Sequence, residues 1–289
     1  MNTIDPANLE RYRAAMRKEW TEPDTANAWR KWSGSRDLLT REVTNAMMKL
    51  AEVHPGQKIL DIASGAGQPA IPFAEAVGPG GQVTATDLGS ALLAIAEENA
   101  RARGVTNMTF RQADAESLPF PDESFDTVTC RCGLMFVPDH LKALRECRRV
   151  LKPGGRAVFA VWGTREQPFF ATTVGTLRKF VEIPPPEPGA PNAFKFAEPG
   201  TLRAAMLEAG FGRAKEDLHE IQGAWPGTPE EFWNYFRESA APFRPYVESL
   251  SPENFEQVTR EVVAALGKYY DGKHLRFPLR MNLATGFRD

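Results

Sequence analysis

The sequence predicts an α/β fold in which helices cover both faces of a largely parallel sheet. From residue 57 onward, short apolar runs typical of strands alternate with segments whose apolar residues recur at helical spacing. A glycine-rich turn directly follows the first of these strands. The intervening segments are long enough for right-handed crossovers, which make successive strands parallel.

The first 53 residues are predicted to form a helical cap. Two segments, "LERYRAAMRKEW" and "SRDLLTREVTNAMMKLAEV", carry apolar residues at helical spacing. Between them, Trp29 and Trp32 lie three residues apart and therefore share one face of a helix. We expect both indoles to pack on the body of the domain.

Residues 54–162 are predicted to form the core. A helix follows the glycine turn and runs to about Val77, and a second helix ends at Gly104 as its C-terminal cap. A third helix, "HLKALRECRRVL", precedes the last strand of this region. The five predicted strands are "QKILDIA", "GQVTATD", "NMTFRQAD", "SFDTVTCRCG" and "RAVFAVW".

The remainder of the chain divides into four segments. Residues 163–198 are predicted to be a loop-rich insertion with a proline run, and residues 199–222 are predicted to hold a helix and the strand "GRAKEDLHEIQ". Residues 223–272 are helical, and residues 273–289 form a last strand in which Pro278 predicts an edge or bulged position. The alternating residues expected on one face of this strand are Leu275, Phe277, Leu279, Met281 and Leu283.

Composition excludes several classes of function. The chain has 289 residues, 42% of them hydrophobic, and a formal net charge of −2, so it lacks the basic surplus of a nucleic-acid-binding protein. No apolar run is long enough to span a membrane, and the N-terminus lacks a signal-peptide core, so we expect a cytoplasmic protein. The three cysteines, Cys130, Cys132 and Cys147, have no nearby histidine cluster, so reduced thiols and no metal site are predicted.

The glycine turn, within "LDIASGAGQPA", indicates a cofactor that approaches the backbone. In an open parallel sheet, ligands bind beyond the carboxyl ends of the strands, where this turn lies. Gly65 and Gly67 permit a tight turn and close approach. Asp87 ends the second strand, where a carboxylate would bind ribose hydroxyls. These residues fit NAD and other adenosine cofactors equally well.

Two neighbouring residues favour a cofactor without phosphate. Asp61 would repel a pyrophosphate at the mouth of the turn, and Pro69 removes a backbone N–H that would bind one. S-adenosylmethionine (SAM) carries adenosine, a sulfonium and an ammonium group, and a carboxylate favours both cations. Asp61 taken alone could equally be a helix-capping or loop acid.

Four motifs together resemble the class I SAM-dependent methyltransferases, in particular their ubiquinone/menaquinone-biosynthesis-like (methyltransferase domain 11) group. They are "LDIASGAG", Asp87, "ADAESLPFPDESFD" and "LRECRRVLKPGG", in family order within about residues 57–162. The resemblance implies a Rossmann-like sheet of seven strands, the sixth parallel and the seventh antiparallel. Ala63 departs from the family, which commonly has glycine there, and alanine is expected to be tolerated if its φ is negative.

The resemblance also implies roles for individual residues. Asp61 and the backbone of Ala63, Ser64, Gly65 and Gly67 would hold the methionine portion of SAM. Asp87 would bind the ribose hydroxyls, and Leu88 would pack on the face of the adenine. Asp114 would accept a hydrogen bond from the adenine amino group, and the backbone N–H of Ala115 would donate to the adenine ring. The backbone of Arg131 would contact the methionine end. Asp87 and Asp114 are expected at exposed strand ends, so that replacing either with alanine weakens SAM binding without unfolding the domain.

The predicted acceptor is a small molecule that binds under a lid. The family topology places the N-terminal helices, residues 163–198 and residues 223–272 on the ligand side of the sheet. The lid aromatics suit an apolar or aromatic acceptor, although many are expected in the lid core; they are Phe169, Phe170, Phe194, Phe196, Phe232, Trp233, Tyr235, Phe236, Phe243 and Tyr246. Four basic residues could pair with an acidic group on the acceptor or be surface charges: Arg178, Lys179, Arg237 and Arg244.

The sequence therefore predicts a SAM-dependent methyltransferase that methylates an oxygen, nitrogen or carbon of a small acceptor. It names no catalytic base, since His140 is expected on the surface of a first helical turn. Nucleic acid is an unexpected substrate, because the Asn/Asp-Pro-Pro-aromatic motif of amino-methylating enzymes is absent after the fourth strand. Two alternatives stay open: an NAD(P)-dependent oxidoreductase and a non-catalytic SAM-binding module.

Overall fold

The fold was analysed in a computed structural model, which describes residues 6–289. The first five residues of the predicted cap lie outside the described residues. The strands are β1 (Lys58–Ile62), β2 (Gln82–Asp87), β3 (Met108–Gln112), β4 (Phe125–Arg131), β5 (Leu151–Trp162), β6 (Gly212–Trp225) and β7 (Leu275–Phe287). The α-helices are α1 (Pro6–Thr21), α2 (Pro23–Ala51), α3 (Ala70–Val77), α4 (Ser90–Ala102), α5 (His140–Val150), α6 (Pro168–Thr172), α7 (Val174–Leu177), α8 (Thr201–Glu208), α9 (Pro229–Ser239), α10 (Arg244–Glu248) and α11 (Pro252–Gly267). Two short 3-10 turns cover Leu134–Phe136 and Ala241–Phe243.

The seven strands form one mixed sheet in the order β3-β2-β1-β4-β5-β7-β6. Strands β1 to β5 are parallel, and β7 runs antiparallel between β5 and β6. The predicted Rossmann-like fold class is confirmed. The chain moves outward in one direction from β1 through β3 and in the other direction from β4, so the strand order reverses between β1 and β4. This reversal opens a crevice at the carboxyl ends of those two strands.

The prediction that Pro278 places the last strand at an edge was wrong for the strand as a whole, because β7 is internal. The pairing of β7 with β5 covers only Met281–Phe287, whereas its pairing with β6 continues past Pro278, which lies opposite Gln222. At Pro278 the strand therefore has a neighbour on one side only, and the missing N–H disrupts no ladder toward β5.

Helices cover both faces of the sheet and bury its side chains. On one face lie α2, α3, α9 and α11, which share an apolar cluster with β7. On the other face, α5 packs against β5 and α8 packs against β6 and β7. The predicted inward face of β7 is confirmed, since alternate residues from Leu275 to Leu283 are at most 1% exposed.

Local sequence signals account for the helix ends on the lid side. Thr228 and Glu231 form a reciprocal capping box at the start of α9, with a proline in the first helical position. Ser251 caps α11 in a similar way. Among the helices that the structure describes, none combines the length and the hydrophobicity needed to cross a membrane.

Candidate active site

The glycine turn follows β1 and bends sharply at the crevice. Gly65 and Gly67 have φ values of 53° and 97°, in the left-handed region that glycine tolerates. Ala63 also has a positive φ, 53°, so the condition under which alanine was expected to be tolerated there is not met. The backbone of Gly133 packs so closely on Ala63 that a Cβ at Gly133 would lie 2.4 Å from the methyl group of Ala63. The position therefore demands a small side chain and holds it in a strained conformation.

Asp61 lies behind this turn rather than in the crevice. Its carboxylate is fully buried and accepts hydrogen bonds from Ser64 Oγ at 2.7 Å and Thr129 Oγ1 at 2.6 Å. Burial raises the pKa of Asp61 to about 6, while the two hydroxyl donors and the nearby Arg131 oppose that shift. Asp61 therefore holds Ser64 in place and puts a negative field behind the turn.

Asp87 ends β2 and links the turn to the next helix. Its two carboxylate oxygens accept hydrogen bonds from the backbone N–H groups of Gly65 and Gly89, each at 2.9 Å. Asp87 lines the cavity but is only 7% exposed, so the expected exposed strand end was wrong. Each oxygen keeps a lone pair for a further donor, such as a ribose hydroxyl.

The residues predicted to contact adenine follow the ends of β2 and β3. Asp114, Ala115 and Leu88 all line the same cavity as Asp87. Asp114 accepts a hydrogen bond from the backbone N–H of Glu116 at 2.9 Å, and its side chain is 34% exposed. Its other carboxylate oxygen lies 3.5 Å from the guanidinium of Arg17, on α1.

Arg131, the last residue of β4, faces Asp61 across the strand-order reversal. Its guanidinium donates to Thr44 Oγ1 at 2.8 Å and to the backbone carbonyl of Gln68 at 3.3 Å. These hydrogen bonds connect the end of β4 to α2 and to the glycine turn. Of the predicted site residues, Ala63, Asp87, Leu88, Asp114, Ala115 and Arg131 line the cavity, whereas Asp61, Ser64, Gly65 and Gly67 lie behind it.

The cavity extends from these cofactor residues to a wall built from the N-terminal helices and the lid. Trp29 packs directly on the turn, since a Cβ at Gly65 would lie 2.3 Å from its indole. The indole N–H of Trp29 is buried and has no hydrogen-bond partner among the described residues. The aromatic residues that line the cavity are Trp20, Trp29, Phe136, Trp162, Phe169, Phe170, Tyr235, Phe236 and Phe243.

Several predicted lid residues lie outside the cavity. Phe232 and Trp233 are buried in the packing of α9, at 0% and 1% exposure, as expected for lid core. None of the four proposed acceptor-pairing residues, Arg178, Lys179, Arg237 and Arg244, lines it. Lys179, for example, forms an ion pair with Glu261 at 2.9 Å.

His140 is in the first turn of α5, as expected, but its ring is largely buried rather than on the surface. The ring packs edge-on against Phe196, with 5.4 Å between centroids, and both ring nitrogens lack a partner in the described residues. Burial lowers the pKa of His140 to about 4, which keeps the imidazole neutral. His140 does not line the cavity.

The residues that the sequence reasoning missed lie on the N-terminal helices. Arg13, Met16 and Arg17 of α1 cover the adenosine end, and Arg36 of α2 projects into the cavity beside Trp29. A signal for Arg36 was available, because residues seven apart in a helix share a face. The residue pair at 29 and 36 follows that spacing.

Within residues 6–289 there is no group of three or more histidine, cysteine, aspartate or glutamate side chains that could hold a metal ion. Cys130 and Cys147 are buried, and Cys132 is partly buried at the cavity. Burial raises the pKa of Cys132 to about 11, although the nearby guanidinium groups oppose the shift. The thiol is therefore neutral near pH 7.

Comparisons with known proteins converge on one family. The model of the ubiE/COQ5 methyltransferase family matches residues 39–175. A ubiquinone/menaquinone biosynthesis C-methyltransferase of Ectopseudomonas mendocina is 36% identical over 203 residues, which cover 66% of this chain and 77% of that protein. A demethylmenaquinone methyltransferase of Geobacillus kaustophilus is 43% identical over 112 residues, which cover 39% of this chain and 48% of that protein.

Solved structures share the fold. The YcgJ protein of Bacillus subtilis superposes with a TM-score of 0.52 at 24% identity, over 86% of this chain and 98% of that one. Phosphoethanolamine N-methyltransferase 2 of Haemonchus contortus, solved with SAM, has a TM-score of 0.51 at 20% identity, over 86% of this chain and 52% of that one. These likenesses extend the shared fold beyond the segment that the family model matches.

Proposed function

Since this chain belongs to the ubiE/COQ5 methyltransferase family and is a SAM-dependent methyltransferase, we propose that it methylates a ring carbon of a small hydroxylated aromatic acceptor. Family membership also decides between the predicted enzyme classes, against the NAD(P)-dependent oxidoreductase and against the non-catalytic module. The observation that carries the proposal is the aromatic wall of the cavity, which is continuous with the residues predicted to bind the cofactor.

The chain offers a fitting site for SAM. In the proposed arrangement, Asp87 accepts hydrogen bonds from the ribose hydroxyls, and Leu88 packs on the adenine. Asp114 and Ala115 form hydrogen bonds with the edge of the adenine. The indole N–H of Trp29, which packs on the turn, is buried and donates to no described residue, so it is a hydrogen-bond donor for a ligand. Asp61 stabilises the cations of the methionine portion through its field rather than through direct contact, because its carboxylate is buried behind the turn.

When bound, SAM supplies a methyl group that its sulfonium has already activated for displacement. The residues around the cavity then have to hold the acceptor in line with that methyl group and exclude water. Phe169, Phe170 and Tyr235 are at most 6% exposed and provide an apolar surface for a planar ring. An aromatic ring fits between such side chains in stacked or edge-on contacts.

The lining favours an acceptor whose own chemistry makes it nucleophilic. Among the described lining residues there is no histidine or lysine, and the thiol of Cys132 is neutral. A ring hydroxyl can release its proton to water and increase the electron density at the neighbouring carbon. That carbon forms the new bond as the sulfur–methyl bond breaks, and the ring then loses its C–H proton to water. These steps need no protein base.

The proposal is tested with reduced 1,4-naphthoquinone as acceptor. Purified protein is incubated with SAM and 1,4-dihydroxynaphthalene under anaerobic conditions, and products are analysed by mass spectrometry and NMR. We expect S-adenosylhomocysteine (SAH) and a product methylated on ring carbon 2. The control acceptor, 1,4-dimethoxynaphthalene, has both oxygens blocked and should stay unmethylated. Exclusive methylation on oxygen, or turnover of the blocked control, would refute the proposal.

A further inference from the structure

Arg36 places a positive charge inside the aromatic part of the cavity. Its guanidinium carbon lies 3.7 Å from the ring centroid of Trp29 and 5.7 Å from that of Tyr235. One terminal nitrogen donates a hydrogen bond to the Tyr235 hydroxyl at 3.1 Å. Because a guanidinium has five N–H groups, Arg36 keeps donors available for a ligand in the cavity.

The other charged residues of the cavity lining are largely paired. At the adenosine end, Arg13 donates to Glu116 at 2.8 Å, and Arg17 lies 3.5 Å from Asp114. The carboxylate of Asp87 accepts two backbone N–H groups, as described above. Both guanidinium groups at that end of the cavity are therefore paired with a carboxylate, and Asp87 leaves one carboxylate without a cationic partner.

At the opposite end, two guanidinium groups remain close together. Arg131 donates to neutral groups but has the carboxyl groups of Asp61 and Asp37 within electrostatic reach. Burial lowers the pKa of Arg131, and the charge of Arg36 lowers it further. In the part of the chain that the structure describes, Arg36 has no carboxylate within ion-pair distance. At this end of the cavity, Arg36 thus brings a positive charge that no described carboxylate neutralises by direct contact.

We propose that Arg36 binds a negatively charged oxygen of the methyl acceptor, a phenolate or carboxylate attached to its aromatic ring. The inference rests on the proposed function and specifies its acceptor as an acidic aromatic molecule. SAM adds a sulfonium, an ammonium and one carboxylate, so its binding increases the positive charge at this end by one. An anionic acceptor offsets the charge that SAM adds, and an arginine is well suited to hold its oxygen.

The cofactor carboxylate is a second possible source of the same negative oxygen. Two features favour the acceptor. Arg36 is hydrogen-bonded to Tyr235, which belongs to the lid helix α9 rather than to the cofactor-binding core. Arg131 is the guanidinium that lies at the predicted methionine end of the site. Arg36 is therefore an acceptor-binding and specificity-determining residue.

The experiment measures charge preference without turnover. SAH-loaded protein is titrated calorimetrically with 2-naphthoate and with its neutral isostere, 2-naphthamide. We expect the wild type to bind 2-naphthoate about tenfold to a hundredfold more tightly, the range expected of a hydrogen bond to a charged group. Arg36→Met should reduce this preference to near one while leaving the Kd of 2-naphthamide within about twofold.

Two further variants serve as a control and as a replacement for Arg36→Met. Lys179→Met removes a surface charge outside the cavity and should keep the full wild-type preference. Arg36→Gln keeps a polar but shorter and uncharged side chain, and it replaces Arg36→Met in the titration if that variant fails to bind SAH. It should lose the preference as well.

Two outcomes would overturn the proposal. An unchanged preference in both Arg36 variants would show that the residue does not bind the anion. Weaker binding of SAM, with unchanged binding of decarboxylated SAM, would assign Arg36 to the cofactor carboxylate instead. Neither result depends on methylation of 1,4-dihydroxynaphthalene, so a failure here is distinguishable from a failure of the proposed carbon methylation.

Discussion

At the scale of single residues, a buried carboxyl group connects the cofactor to proton binding. Asp61 has no solvent exposure, and burial raises its pKa to about 6. A raised pKa means that the folded protein retains a proton that the unfolded chain has already lost. The stabilisation associated with this proton is fully present below about pH 4 and is lost as the pH rises through about 6.

SAM binding should therefore become tighter as the pH rises. A cationic ligand near Asp61 favours the ionised carboxylate and releases its proton. If binding returns the pKa to about 4, the Kd for SAM falls about tenfold between pH 5 and pH 7. Calorimetric titrations across this range, in buffers of different ionisation enthalpy, measure both the trend and the proton release. Asp61→Asn should abolish the trend, whereas the exposed Asp122→Asn should preserve it; a trend that survives in Asp61→Asn would exclude Asp61 as its source.

Asp87→Ala should cost stability as well as cofactor affinity. The substitution leaves two buried backbone N–H groups, those of Gly65 and Gly89, without their acceptors. We expect the free energy of unfolding to fall by about 2 to 4 kcal/mol. Urea denaturation, with Asp122→Ala as the surface control, measures the loss. An unchanged free energy of unfolding combined with weaker SAM binding would show that Asp87 acts only on the ligand.

Sequence motifs predicted which residues surround the site better than which ones face the cavity. Asp114 and Arg131 line it, because their position at strand ends directs them toward the crevice. Asp61 and Ser64 lie behind the turn, where the hydroxyl of Ser64 donates to the buried carboxylate of Asp61 across the sharp bend at Ala63. A positive φ at an alanine depends on packing against Gly133, which local sequence does not reveal.

At the scale of elements, α1 is fastened over the adenosine end of the cavity by charged side chains. Arg13 pairs with Glu116, whose side chain is only 4% exposed. Arg11 and Tyr12 both donate to Glu187, in the insertion of residues 163–198. The helix thus bridges the loop predicted to bind adenine and the lid.

Arg13→Gln should loosen this helix. The change removes the charged partner of the Glu116 carboxylate, which is buried. An unpaired buried charge is unfavourable. We expect faster hydrogen–deuterium exchange in α1 and a Kd for SAM that rises about threefold to tenfold. Lys18→Gln, on the exposed face of the same helix, is the matched control and should change neither. Unaltered exchange in Arg13→Gln would show that other contacts hold α1 in place.

The order of elements could be predicted from the sequence, whereas the position of β7 within the sheet could not. Periodicity identified the helices and strands, since it reflects burial within each segment. Pairing partners depend on contacts between distant segments. The proline that suggested an edge strand lies where β7 extends past the end of β5, a feature visible only once the register is known.

At the scale of the whole molecule, three segments far apart in the chain close one cavity. The N-terminal helices, the insertion of residues 163–198, and the elements between β6 and β7 all contribute lining residues. A ligand in the cavity therefore contacts regions that local sequence does not connect. The family motifs could place the cofactor end of this cavity, but the acceptor end is defined by packing alone.

SAH should protect these three segments together. Hydrogen–deuterium exchange with and without SAH should show reduced uptake in α1, in residues 163–198 and in α9, because the ligand bridges the walls of one cavity. Helix α8, which packs on the opposite face of the sheet, provides the internal control and should be unaffected. Protection confined to the glycine turn would show that the three segments close independently of the cofactor.

The long ribbon formed by β6 and β7 has a consequence for how such enzymes diversify. Trp225, the last residue of β6, is paired with Leu275, the first residue of β7. The helices that carry Tyr235 and Phe243 therefore leave and rejoin the sheet at neighbouring points. Evolution can lengthen, shorten or replace the segment between β6 and β7 without shifting the register of any strand. New acceptors then become accessible while the cofactor-binding residues are inherited unchanged.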